Sequence, residues 1–296
     1  MALHNLKPWI LRAQREQYAI GAFNANTMEQ VQAIVLAAQA ENAPVIIQIS
    51  HRALQYVGSG NEILGLRYMA EIGKVAAESV SVPVALHLDH ATESEVLQAI
   101  GLGFTSVMFD ADAMPWQENI ETTRNLCEIA HSVGVSVEAE LGEVPRVDSS
   151  GIAQPVSELT PVEDAAEFVD ATGIDVLAIA IGSVHGVKQK NIELDLEHLK
   201  AIRAAVDIPL VLHGSSGVTD ACIAEGIKLG LCKVNVATQL NQAFTRAVRA
   251  KLSDDPKEVD PRRYLTPARD AMVEQVRERI RFVGASGKAT QYDSLC

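Results

Sequence analysis

Eight short apolar runs, each followed by a stretch with helical spacing, constrain this chain more than any other feature. The runs are YAIGAFN (18–24), PVIIQIS (44–50), PVALHLD (83–89), SVMFDA (106–111), VSVEAEL (135–141), DVLAIAIG (175–182), PLVLHG (209–214) and KVNVAT (233–238). They are nearly continuous in apolar residues, as parallel strands covered on both faces are. Amphipathic segments such as 27–43 and 162–173 lie between them, and many stop at Gly or Asn, where helices end. Eight βα units in this order predict an α/β fold of the (β/α)8 barrel type. A length of 296 residues suits one such barrel as a single domain, 1–296. The competing arrangement is an open, doubly wound sheet. Its dinucleotide-binding form needs Gly-x-Gly-x-x-Gly after the first strand, and none is present. Residues 253–296 open on a polar break, SDDPKEVDPRR, and continue as PARDAMVEQVRERIRFVGA. They predict a C-terminal helical appendage packed on the barrel or on a neighbouring subunit.

Composition narrows the partners. A formal charge of −13 disfavours nucleic acid, whose phosphate backbone needs clustered Lys and Arg. It leaves room for a small anion held in a locally positive pocket. No run of eighteen apolar residues occurs, so no membrane span is expected. The start, MALHNLKPWILRAQREQ, lacks the charged-then-apolar order of a secretion signal. Cys127, Cys222, Cys232 and Cys296 have no metal-type spacing, which predicts reduced, structural thiols in a cytoplasmic protein.

Function is read from where the polar residues fall. Barrels of this type carry their chemistry at the carboxyl ends of the strands, and here those ends are polar. Asn24, Ser50, Asp89 with His90, Asp110, Glu138 with Glu140, His185, His213, and Asn235 with Thr238 close the eight runs in turn. His90, His185 and His213 therefore share one rim. A single rim histidine is ordinarily a hydrogen-bonded polar residue, but three beside Asp and Glu make a catalytic zinc site the better reading. In HLDHA (87–91), His87 and Asp89 share one face of a regular strand and His90 points the other way. An end of the strand at this point lets His90 turn over the rim, leaves His87 in the core and sets Asp89 beside a ligand. HGSSGV (213–218) and NVAT (235–238) offer backbone amides and hydroxyls after strands seven and eight, the usual phosphate cradle of such barrels.

With those residues in hand, the sequence resembles the class II, zinc-dependent ketose-bisphosphate aldolases. AFNANTMEQVQAI, HLDH, SVMFDAD, SVEAELG, LAIAIGSVHG, PLVLHGSSGV, KVNVATQL and YLTPARDAMVEQVRERIRFVGASGKA carry the resemblance, over residues 5–290. It implies Zn2+ on His90, His185 and His213, with Asp89 as acid/base, and retro-aldol cleavage of a ketose 1-phosphate to dihydroxyacetone phosphate and an aldehyde. It further implies that Gly186, Gly214, Ser216, Asn235 and Thr238 hold the C1 phosphate, with Gly182, Lys188 and a monovalent cation (Na+ or K+) nearby. Asn24 and Ser50 match substrate-facing positions, and Asp110 and Glu140 match a second metal position. The assembly it implies is a homodimer or homotetramer.

The chain also departs from the family. The family's Gly-Gly-x-Glu-Asp loop is replaced by EVPRVDSSG (143–151), leaving Glu143 or Asp148 as substitutes for its acid. DAD (110–112) replaces Asp-Gly-Ser, and Gln239 stands where Glu is common. Arg52, Arg146 and Arg279 are read as grips for an anion at the far end of the substrate. That anion is the C6 phosphate of fructose or tagatose 1,6-bisphosphate, or the sulfonate or carboxylate of 6-deoxy-6-sulfofructose 1-phosphate or a deoxy-ketogluconate phosphate. The rebuilt loop favours the sulfonate or carboxylate. Two other functions compete. A metal-free Schiff-base lyase needs a lysine on an inner strand face, and Lys233 is expected at the wrong end of its strand. A non-catalytic sugar-phosphate-binding subunit is expected to have lost the histidines.

Overall fold

The structure is a computed structural model that describes residues 2–111, 114–147, 159–187 and 189–289. Eight strands form one closed parallel barrel: β1 (Ile20–Asn24), β2 (Val45–Ser50), β3 (Val84–Ala91), β4 (Ser106–Phe109), β5 (Ser136–Leu141), β6 (Val176–Ile179), β7 (Leu210–Leu212) and β8 (Leu231–Val236). β8 returns to pair with β1, Ile20 opposite Lys233 and Ala22 opposite Asn235. The helices preceding the last strand are α1 (Lys7–Glu16), α2 (Met28–Glu41), α3 (His51–Val57), α4 (Glu62–Glu78), α5 (Glu93–Leu102), α6 (Trp116–Ser132), α7 (Val162–Thr172), α8 (Leu196–Ala205) and α9 (Asp220–Lys228). Two more, α10 (Thr238–Asp254) and α11 (Pro261–Phe282), follow it.

Local signals set the helix starts that matter for the site. Ser50, the last residue of β2, caps α3 by accepting from the Ala53 N–H at 3.3 Å. Thr92 and Glu95 form a reciprocal capping box at the start of α5, which satisfies two otherwise orphaned donors. The strand-to-helix turns are thereby short, and rim side chains stay over the barrel.

Strand periodicity divides the residues between two compartments. Leu86 of β3 faces outward, where a Cβ added to Gly73 of α4 would come within 2.9 Å of it. Its neighbour His87 faces inward, 2.7 Å from Ser106 of β4 and 3.4 Å from Lys233 of β8. The outer layer is hydrocarbon, whereas the interior carries His87, Ser106, Glu138, Lys233 and His213, each fully buried.

Two of the boundaries that differ from the sequence expectation shape the site and the tail. β3 does not end at Asp89 but continues to Ala91, and its register against β4 shifts between Leu88 and Ala91. His90 adopts φ +52° there, an uncommon conformation for a residue with a Cβ. The resulting bulge, rather than a strand end, swings the His90 ring over the rim. The tail helix starts at Pro261, six residues before the expected Pro267, because Pro at N1 behind the Asp260 cap is a good helix start. Pro267 sits inside this helix at the cost of one backbone hydrogen bond. α11 is tied to α2 by Arg277 and Arg281, which meet Glu41 at 2.8 and 2.9 Å. Its end meets β1 through the Ala19 N–H and the Val283 carbonyl, 2.9 Å apart.

Candidate active site

The rim gathers the three histidines. Ring centroids lie 5.1 Å apart for His90 and His213, 5.8 Å for His90 and His185, and 5.9 Å for His185 and His213. One nitrogen from each comes within 4.8 Å of the others. His90 reaches the point from the β3 bulge. His185 comes from the loop after β6, which is locked to the loop after β5: the His185 N–H bonds Pro145 O at 2.8 Å and the Val147 N–H bonds His185 O at 3.0 Å. His213 follows β7 directly. Gly214, next along, takes φ +64°, and a Cβ there would sit 2.8 Å from the Val184 carbonyl carbon. Only glycine allows the chain to turn at this place.

Carboxylates orient two of the rings. Asp110 Oδ2 lies 2.7 Å from His90 Nδ1, and Glu138 Oε1 lies 3.0 Å from His213 Nε2. The opposite nitrogens, His90 Nε2 and His213 Nδ1, are buried without a hydrogen-bond partner, as are Glu140 Oε2 and Asp89 Oδ1. His213 Nδ1 and Glu140 Oε2 stand 2.7 Å apart yet out of line for a hydrogen bond. Buried polar atoms are rarely left unpaired, and lone pairs aimed at one point are the donor set of a cation. Two imidazole nitrogens without partners, a third ring 6 Å or less away and an adjacent carboxylate suit zinc. Among the described residues the donors present therefore fit the metal that the histidine pattern implies.

The electrostatics agree. Burial, with the charges of His213, Arg146 and His90, pushes His185 down to about 2, so its imidazole is neutral. Burial also pulls His213 down, but Glu140 and Glu138 outweigh it and raise the ring to about 10. The metal-free ring therefore holds a proton on each nitrogen, and a cation bound at Nδ1 would take the place of one of them. Burial raises the Asp89 carboxyl, but His90, His213, Lys233 and His87 outweigh it and hold it below its usual value. Asp89 is thus a carboxylate that is 5 % exposed, with one oxygen unpartnered.

Above these groups opens a cavity of about 620 Å3. Of the residues singled out in the sequence, Asn24, Ser50, Arg52, Asp89, His90, Asp110 and Arg146 line it. So do His185, Gly186, Gly214, Ser216, Asn235 and Thr238. One wall is the turn Ser215–Gly217, whose Ser215 Oγ bonds the Asn235 carbonyl, and the open N-terminus of α10, which has no side-chain cap. Exposed amides at such a place bind anions. Glu140 stands beside His213 rather than on the cavity wall. Arg279 is elsewhere: it is 3 % exposed, bonds Asp220 at 2.9 Å and lies 4.0 Å from the Phe282 ring centroid. Glu143 is exposed and does not line the cavity. Asp112, Asp148 and Lys188 lie outside the described residues.

Sequence reasoning missed Asn26, Gln48, His51, Thr92 and Asn241, all of which line the cavity. Gln48 was within reach, since it shares a strand face with Ser50; it donates to Asn24 Oδ1 at 3.1 Å. Asn241 is one helical turn beyond Thr238. The placement of Lys233 was also misread. It is the third residue of β8, fully buried on the inner face and paired with Glu138 at 2.8 Å. Among the described residues no lysine lines the cavity.

Comparison with known proteins now defines the class. The model of the family "Fructose-bisphosphate aldolase class-II" matches residues 4–288. A fructose-bisphosphate aldolase of Geobacillus stearothermophilus is 42% identical over 292 residues, 98% of this chain and all of that protein. One from Staphylococcus epidermidis is 41% identical over 290 residues, 98% of this chain and all of that protein. The crystal structure of the YdjI aldolase from Escherichia coli K12 superposes with a TM-score of 0.82 at 34% identity, covering 97% of this chain and 99% of that one. The fructose-bisphosphate aldolase of Campylobacter jejuni gives a TM-score of 0.82 at 26% identity, over 96% of each chain. The chain belongs to the class II fructose-bisphosphate aldolase family. It is accordingly a carbon–carbon lyase of the (β/α)8 type.

Proposed function

We propose that this protein catalyses the zinc-dependent retro-aldol cleavage of a ketose 1-phosphate with a second anionic group at its far end, giving dihydroxyacetone phosphate and an aldehyde. The observation that carries the reading is the unpartnered Asp89 carboxylate oxygen beside the three converging imidazoles, in the cavity that also holds the amide-rich turn and two arginines. Zinc on His90, His185 and His213 would supply Lewis-acid polarisation of the substrate carbonyl. The turn Ser215–Gly217 and the α10 N-terminus hold the C1 phosphate, together with Asn235 and Thr238. That anchor presents the C4 hydroxyl to Asp89, whose free oxygen takes the proton as general base. The C3–C4 bond breaks, the aldehyde leaves, the electron pair stays with the three-carbon fragment, and protonation of that fragment at C3, matching the proton that Asp89 took, completes dihydroxyacetone phosphate. Asn24, fixed by Gln48, and Ser50 meet substrate hydroxyls. Na+ or K+ beside the phosphate and assembly as a homodimer or homotetramer belong to the same proposal.

Arg52 and Arg146 line the cavity, and in this reading they meet the anion at the far end of the substrate. The relatives at 41–42% identity carry the name fructose-bisphosphate aldolase, which favours a C6 phosphate there. The altered residues 143–151 favour a sulfonate or carboxylate. Rates on fructose 1,6-bisphosphate, tagatose 1,6-bisphosphate, 6-deoxy-6-sulfofructose 1-phosphate and a deoxy-ketogluconate phosphate decide between them. Equal or better turnover of fructose 1,6-bisphosphate refutes the sulfonate and carboxylate readings, and no cleavage of any ketose 1-phosphate refutes the lyase.

A further inference from the structure

Beneath the cavity floor lies a buried chain of polar groups that the reaction as described does not use. Lys233 Nζ is 2.8 Å from Glu138 Oε2 and 3.1 Å from Oε1. Glu138 Oε1 is in turn 3.0 Å from His213 Nε2. On the other side, Lys233 Nζ is 3.4 Å from His87 Nε2, and His87 Nδ1 is 2.7 Å from Ser106 Oγ. His87, Ser106, Glu138, His213 and Lys233 are all 0 % exposed. A buried ion pair is weak as a stabilising device, since hydrocarbon of similar volume commonly does as well. Its presence in the barrel interior calls for another reason.

The donor and acceptor chemistry supplies one. An ammonium only donates and a carboxylate only accepts. Lys233 Nζ donates to Glu138 Oε1 and stands 2.8 Å from Oε2, and Oε1 is also the fixed acceptor toward His213 Nε2. A fixed acceptor keeps the proton on Nε2, so Nδ1 is the nitrogen that would give up its proton and offer its lone pair to a metal. His87 is set by the same rule: its Nε2 accepts from Lys233, so its Nδ1–H donates to Ser106.

We infer that Lys233 and Glu138, braced by His87 and Ser106, are positioning residues that lock His213 in the tautomer presenting Nδ1 to the metal. This rests on the zinc reading proposed above. Glu138→Gln exchanges a fixed acceptor for a group that can also donate. Lys233 continues to claim the amide oxygen, so the amide N–H2 meets His213 Nε2 and drives the proton to Nδ1, the wrong place. A neutral amide in place of an orienting carboxylate acts this way on histidines elsewhere. In Lys233→Met/Glu138→Gln the oxygen is released and can accept from His213 again.

The test is the zinc dissociation constant of the full-length protein by chelator competition, with circular dichroism of each metal-free chain. Glu138→Gln is expected to weaken zinc binding about 10–100-fold with an unchanged spectrum, and the double variant to recover most of that loss. A purely structural role predicts the opposite order, since the double variant removes more native contacts. Equal affinity in all three chains, or no recovery in the double variant, overturns the inference. Histidine 15N spectra of the zinc-loaded wild type give a check that needs no variant: Nε2 of His213 carries the proton, and metal on Nε2 contradicts it. A wild type that binds no zinc overturns the metal reading itself.

Discussion

His90 Nδ1 and Asp110 Oδ2 lie 2.7 Å apart across the ends of β3 and β4, and the opposite nitrogen of that ring has no partner. The contact exists because the β3 bulge holds His90 at φ +52°, which brings the ring over the rim and next to the residue that follows β4. One carboxylate thus fixes the rotamer and the tautomer of an imidazole at a single stroke. Asp110, which the family resemblance matches to a second metal position, also meets the His90 ring in this geometry.

Asp110→Ala is expected to weaken zinc binding about 10–100-fold while leaving KM for substrate close to wild type. Chelator competition measures the first and steady-state kinetics the second. Unaltered zinc affinity contradicts the orienting role.

In the proposed reaction Asp89 takes a proton, and its free oxygen makes no hydrogen bond within the fold. Asp89→Asn is expected to lower kcat by about 100–10,000-fold, with zinc content and melting temperature near wild type. A loss below tenfold assigns the proton transfer to another group.

Arg52 lines the cavity from the first turn of α3. Arg52→Ala is expected to raise KM about tenfold or more for substrates with a distal anion, since charge-assisted bonds of this kind contribute about 1.5–3 kcal/mol. Ketose 1-phosphates without that anion are affected little. An equal rise for both substrate types places Arg52 at the C1 end.

Glu41 ties the tail helix α11 to α2. Hydrogen bonding from Arg281 outweighs burial and, with Arg277 and Ser286, lowers its carboxyl to about 2 from an ordinary 4.5. A depressed carboxylate contributes stability that is whole above the unfolded value and fades as pH falls through the folded one. Glu41→Gln is expected to cost about 1–2 kcal/mol at pH 7, a modest figure because Arg281 is half exposed and solvent screens it. The gap between variant and wild type narrows as pH drops from 4.5 toward 2. Thermal or urea unfolding across that range measures it, and a constant gap removes Glu41 as the cause.

The barrel was legible because each strand carries an outward apolar row that only a parallel, helix-covered sheet can bury. The rim histidines were legible because each lies at or after the carboxyl end of an apolar run, His90 in β3, His185 in the loop after β6 and His213 after β7. What escaped depends on distances between chain segments. Lys233 read as opening its strand, at the wrong end, because the two residues before it, Leu231 and Cys232, were not credited to β8. Its value lies in Glu138, far away in sequence. Arg279 looked like a free cation on a tail helix, whereas Asp220 and Phe282 occupy it. The His90 bulge has no local signature, since a positive φ at histidine is imposed by neighbouring strands.

Metal analysis coupled to activity tests the central claim most directly. The purified protein is stripped with a strong chelator, assayed for ketose 1-phosphate cleavage, and reloaded with one equivalent of Zn2+ per chain. The account predicts loss of cleavage on stripping, its return on reloading, and one bound zinc that is lost in His213→Ala. Full cleavage by a chain shown to be free of metal would contradict it.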